Sequence, residues 1–89
     1  MNKTLEELRK EIDEIDEELL NILSKRMDVV RAIGKVKKEN NRNPLDEKRW
    51  NDVLERIKSK SKNLSISEEL VKKIYDEIHD AALKIEKEL

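Results

Sequence analysis

Arg26 and Lys37 are the residues whose type and spacing could do chemistry. A row of apolar residues runs Leu5, Ile12 and Leu19 at intervals of seven, and the next position of that row is Arg26. A guanidinium on a stripe otherwise suited to burial needs an anionic partner, because an unpaired buried charge is expensive. Lys37 follows 11 residues later. On a helix that is close to three full turns, so the two cations share a face to within about 20°, with α-carbons about 16 Å apart. Two readings are open: each cation snorkels or finds a salt bridge, or both converge on a small anion held between them. Gly34 lies between them and is either a point of close approach for a ligand or backbone, or a tolerated cost of about 1 kcal/mol relative to Ala. Arg9 lies 17 residues before Arg26. That is about 25 Å away and rotated by roughly 100°, so it cannot readily reach the same ligand from the same chain. In an antiparallel dimer it could reach the site of a second copy; alone it reads as a surface charge.

Other chemistries are excluded by composition. The 89 residues contain no Cys, hence no thiolate nucleophile, thiolate metal site or disulfide framework. A single His rules out a multi-His metal centre within one chain. Twenty basic residues face 21 acidic ones, for a net charge of −1, which argues against a general nucleic-acid binder. No apolar stretch approaches the roughly 20 residues needed to span a bilayer, and the N-terminus lacks a signal-peptide pattern. A soluble, cytoplasmic protein without metal or cofactor is expected.

Helices must position these cations. One Gly, one Pro and 46% charged residues leave few turns and few strand formers. Leu5, Leu8, Ile12, Ile15, Leu19, Ile22, Val29, Ile33 and Val36 alternate spacings of three and four, a heptad seam broken only at Arg26. The pattern predicts one helix from about Thr4 to about Asn40, with Thr4 as N-cap and Glu7 completing a capping box. The run Asn40 to Pro44 reads as a break. A second helix should begin near Asp46, whose carboxylate can cap it, with Trp50, Val53, Leu54 and Ile57 on its apolar face. Ser59 to Asn63 reads as a polar loop. Ser65 or Ser67 then caps a third helix, Ser65 with Glu68 matching the capping box. The fold class is all-α, one domain over residues 1–89, with three helices of which one is very long.

The first helix is longer than its own chain can cover. At 1.5 Å per residue it spans about 54 Å, whereas a compact chain of this length is only about 30 Å across. Residues 1–22 carry a net charge of −5 and residues 23–42 a net charge of +5. Antiparallel pairing of two copies sets the acidic half of each against the basic half of the other. A solvated helix with incidental charge blocks is the simpler alternative.

The segments Leu8-Arg9-x-x-Ile12-Asp13-x-Ile15-Asp16-x-x-Leu19-Leu20, Lys25-Arg26-Met27 and Ile33-Gly34-Lys35-Val36-Lys37 resemble the all-helical (AroQ-type) chorismate mutases. So do Pro44-Leu45-Asp46-x-x-Arg49 and Ile78-His79-Asp80-Ala81-Ala82, and the resemblance runs from about Leu5 to Glu86. It implies an intertwined antiparallel homodimer of three-helix subunits with two sites, each completed by an arginine from the other chain. It also implies the Claisen rearrangement of chorismate to prephenate, a step of phenylalanine and tyrosine biosynthesis that needs no covalent intermediate. By the family pattern Arg9 (from the second copy) and Arg26 grip carboxylates, where bidentate geometry favours Arg. Lys37 aims at the ether oxygen and a carboxylate, and Asp46 and Arg49 position the ring hydroxyl and support the carboxylate network.

Three positions depart from the commonest pattern. Trp50 stands where the family often has a Glu that contacts the substrate hydroxyl; here it walls the pocket or fills the core. Ala82 replaces a Ser that often bonds the substrate, and gives the ligand room. Glu86 replaces a Gln that donates to the ether oxygen, so it must be protonated to donate, as in some fungal relatives; an exposed Glu near a frayed C-terminus is the alternative. His79 reads as a structural helix residue. Two other functions stay open: an isochorismate pyruvate-lyase on the same scaffold, and a non-catalytic helical dimerisation or regulatory module.

Overall fold

The computed structural model describes residues 2–89. Among the described residues there are three helices and no strand: α1 (Leu5–Glu39), α2 (Glu47–Asn63) and α3 (Glu68–Lys87). The start of α1 follows from its capping box. Thr4 Oγ1 accepts from the Glu7 backbone N–H at 3.1 Å, and Glu7 Oε2 accepts from the Thr4 N–H at 3.2 Å, which satisfies two otherwise orphaned donors. Glu6 and Glu7 in the first turn, and Lys37 and Lys38 in the last, complement the helix dipole. The helix ends at Asn40, and Asn41 turns the chain with φ 55°, a conformation Asn tolerates better than most residues. Asp46 Oδ1 accepts from the Arg49 N–H at 3.0 Å and so caps α2.

Two expectations are corrected. Ser59 to Asn63 is not a loop but the last part of α2. Ser61 is buried there, and its hydroxyl donates to the Ile57 carbonyl at 2.6 Å, so burial within the helix leaves it satisfied. The cap of α3 is Ser67, whose Oγ accepts from the Leu70 N–H at 3.2 Å. The Ser65–Glu68 capping box does not form, because Ser65 is spent on the connecting turn with φ 55°.

The chain is elongated, 59 × 24 × 15 Å, with a radius of gyration of 16.7 Å. Helix α3 packs against both α1 and α2. The buried apolar residues are Val30, Val53, Ile57 and Ala82, and on α1 only Val30 and Gly34 are buried. The N-terminal half of the α1 seam is uncovered: Ile12, Ile15, Leu19 and Ile22 are between 55% and 62% exposed. Gly34 marks a close approach of α3. A Cβ built there would meet Leu89 Cδ1 at 2.5 Å, Glu86 Cγ at 3.1 Å and Glu86 Cα at 3.3 Å. Its lack of a side chain therefore sets the separation of α1 and α3 beside Lys37.

Candidate active site

A cleft of about 280 Å³ opens where the three helices meet. Helix α1 contributes Arg26, Val30, Ile33 and Lys37, the face expected from the 11-residue spacing of the two cations. The connection to α2 contributes Pro44 and Asp46, and α2 itself Arg49, Trp50 and Val53. Helix α3 contributes His79, Ala82, Leu83 and Glu86. Seven of the eight residues singled out in the sequence thus line one cleft: Arg26, Lys37, Asp46, Arg49, Trp50, Ala82 and Glu86. Arg9 is not among them. It is exposed near the other end of α1, among Thr4, Glu6, Glu7, Lys10 and Asp13.

Lys37 is fixed from two sides. Its ammonium donates to the Pro44 carbonyl at 2.6 Å and lies 2.8 Å from Glu86 Oε1. The Glu86 side chain is 8% exposed and that of Lys37 19%. The approach of Lys37 to Glu86 is an ion contact without hydrogen-bond alignment, and Glu86 Oε1 is buried with no hydrogen-bond partner among the described residues. Glu86 is thus not a frayed surface residue; its place beside Gly34 and Lys37 holds it inward.

Asp46 has two tasks, since the carboxylate that caps α2 also lines the cleft, with Arg42 nearby at 3.9 Å. Trp50 is half-buried and forms part of the cleft wall rather than the core. Its ring stacks on that of His79 with centroids 3.8 Å apart and planes within 6° of parallel. His79, read from sequence as a structural helix residue, therefore belongs to the cleft. A signal for it was present: His79, Ala82 and Glu86 follow one another at spacings of three and four and share one face of α3.

The cleft combines three cations, two carboxylates, two stacked rings and apolar walls, with no thiol; no group of residues suited to hold a metal ion occurs among the described residues. It can orient and electrostatically stabilise a small anion, and it offers no cysteine nucleophile. Among the described residues no helix is long and apolar enough to cross a membrane. A family model described as chorismate mutase type II matches residues 8–87. The chain is also 36% identical over 88 residues to the bifunctional chorismate mutase/prephenate dehydratase of Aquifex aeolicus (strain VF5), an alignment covering 96% of this chain and 24% of that protein. It thus spans about a quarter of the length of that relative. With a match extending through all three helices and every cleft-lining residue, the chain belongs to the chorismate mutase type II family.

Proposed function

We propose that the cleft binds chorismate and converts it to prephenate, serving aromatic amino-acid biosynthesis in the cytoplasm. The observation that carries this reading is the convergence of Arg26, Lys37 and Arg49 on one cleft with otherwise largely apolar walls. A cyclic dianion needs such a cradle, and the rearrangement needs little else. In one intramolecular step the ether C–O bond breaks while a C–C bond forms, with no proton transferred and no covalent link to the protein. The task of the site is to hold the ligand folded so that the reacting carbons meet, and to stabilise the negative charge that grows on the ether oxygen.

Each residue then has a role. Arg26 grips a carboxylate in bidentate fashion. Lys37, held by the Pro44 carbonyl, directs its ammonium at the ether oxygen and a carboxylate. Glu86, beside Lys37, donates to the same oxygen when protonated. Asp46 and Arg49 position the ring hydroxyl and the carboxylate network, Trp50 closes one wall, and Ala82 leaves room for the ring. A second copy of the chain covers the exposed seam of α1 and brings Arg9 to the second carboxylate. The opposed charge blocks of α1 support antiparallel pairing.

Adding chorismate to the purified chain tests this reading directly. Loss of chorismate absorbance with prephenate identified by NMR is the expected result. Salicylate and pyruvate formed from isochorismate identify a lyase instead, and no turnover of either compound identifies a non-catalytic module.

A further inference from the structure

The polar side chains lining the cleft fall into two classes. Arg26, Lys37, Asp46, Arg49 and Glu86 carry formal charge, whereas Trp50 and His79 bring ring nitrogens. The two rings are stacked face to face, which hides one face of each and fixes both planes. The ring edges are then the only polar positions the pair can offer. Among the described residues no hydrogen bond or ion pair occupies either nitrogen of His79. A half-buried imidazole held by a stack, open to a cleft and without a protein partner, is preorganised for a ligand.

We propose that His79 is a specificity-determining residue that hydrogen-bonds the ring hydroxyl of the bound substrate, with Trp50 as the positioning residue that holds its ring in plane. The inference rests on the reading of the cleft as a site for a cyclic dianion. The cations of the cleft are matched to the two carboxylates of such a ligand, and Lys37 and Glu86 to its ether oxygen; its other uncharged polar group, the ring hydroxyl, takes His79 as a further partner beside Asp46 and Arg49. Neutral imidazole donates from one nitrogen and accepts at the other, so it can meet a hydroxyl in either sense. A site that hydrogen-bonds a substrate hydroxyl rejects the analogue lacking it, because the site's own polar group is then left unpaired.

The chain has one Trp and one His, so the indole emission and the imidazole resonances each report one residue without assignment by mutagenesis. Binding of chorismate, and of the analogue in which hydrogen replaces the ring hydroxyl, is followed by Trp50 fluorescence and by the ring ¹⁵N and ¹H shifts of His79; turnover of chorismate is measured alongside. His79→Phe keeps a ring for the stack and removes both nitrogens. It is expected to weaken chorismate binding and to lower kcat/KM about tenfold, the size of one hydrogen bond, and to change affinity for the analogue less than twofold. In the wild-type protein, where folding is not in question, chorismate shifts the His79 ring nitrogens and the analogue does not. Turnover with equal losses for both ligands, or with identical His79 shifts for both, overturns the role of His79 and leaves the proposed activity standing. Binding that discriminates the hydroxyl without turnover keeps the contact and overturns the activity. No change of either signal with either ligand overturns both.

Discussion

Lys37 Nζ lies 2.8 Å from Glu86 Oε1, joining the last turn of α1 to the last turns of α3 at the edge of one cleft. The cation proposed to stabilise negative charge on the substrate is thus already engaged by a carboxylate, which can only accept. The protonation state of Glu86 therefore decides whether the pair offers the ether oxygen one donor or two. Glu86→Gln supplies a permanent donor. It should raise kcat/KM at neutral pH. Equal kcat/KM for the two proteins would show that Glu86 does not contact the reacting oxygen.

Arg26→Ala and Lys37→Ala are each expected to lower kcat/KM by two or more orders of magnitude, since loss of one transition-state donor costs about 3–4 kcal/mol. Both variants should keep the helical fold, and Arg26→Leu should raise stability by restoring an apolar seam. Steady-state kinetics with circular dichroism checks both halves. Near-wild-type activity in either alanine variant would move the site elsewhere.

The uncovered seam of α1 predicts association. Melting temperature should rise with protein concentration if the chain pairs, because a dimer unfolds with dissociation. A monodisperse monomer at micromolar concentration by light scattering would refute it. Arg9→Ala should be as damaging as Arg26→Ala, although Arg9 is about 25 Å from Arg26 along α1. Mixing the two inactive variants should restore activity through hybrid dimers that carry one intact site. No recovery after subunit exchange would count against a shared site.

Gly34→Ala tests the approach of α3 to α1. The new methyl group gains about 1 kcal/mol of helix propensity. It also meets Glu86 Cγ at 3.1 Å and Glu86 Cα at 3.3 Å, which demands a backbone shift, while Leu89 Cδ1 can swing away. Overpacking typically costs about 1–3 kcal/mol, so a net loss of about 1 kcal/mol is expected. Activity should fall further than stability, since the displaced residue is Glu86. Denaturant midpoints together with kcat/KM measure both, and unchanged activity would detach Glu86 from the site.

Asp46 separates folding from function. Asp46→Ala removes the α2 cap and should cost about 1 kcal/mol, whereas Asp46→Asn keeps a capping oxygen and removes the charge from the cleft. Both should lower activity while only the alanine variant lowers stability, as read by urea unfolding. Equal stability of the two variants would show that the contact with the Arg49 N–H contributes little.

What the sequence determined by itself was everything with a local period. The seam and the Thr4–Glu7 capping box define α1, Asp46 starts α2, and the 11-residue interval sets Arg26 and Lys37 on one face. These follow from helix geometry and from hydrogen bonds within four residues. The excess length of α1, visible as a mismatch between helix and globule dimensions, reappears as its exposed N-terminal half. The tertiary structure decided whatever depends on how α3 lies against the other two helices. It turned Glu86 inward onto Lys37, brought α3 against Gly34, and stacked His79 on Trp50. The α3 cap fell to Ser67, one of the two serines the sequence offered, and burial of Ser61 accompanies its place within α2. Residues 37 and 86, or 50 and 79, are far apart along the chain, and no periodicity links them. Their meeting is set by the azimuth at which whole helices pack, a property of many side chains at once.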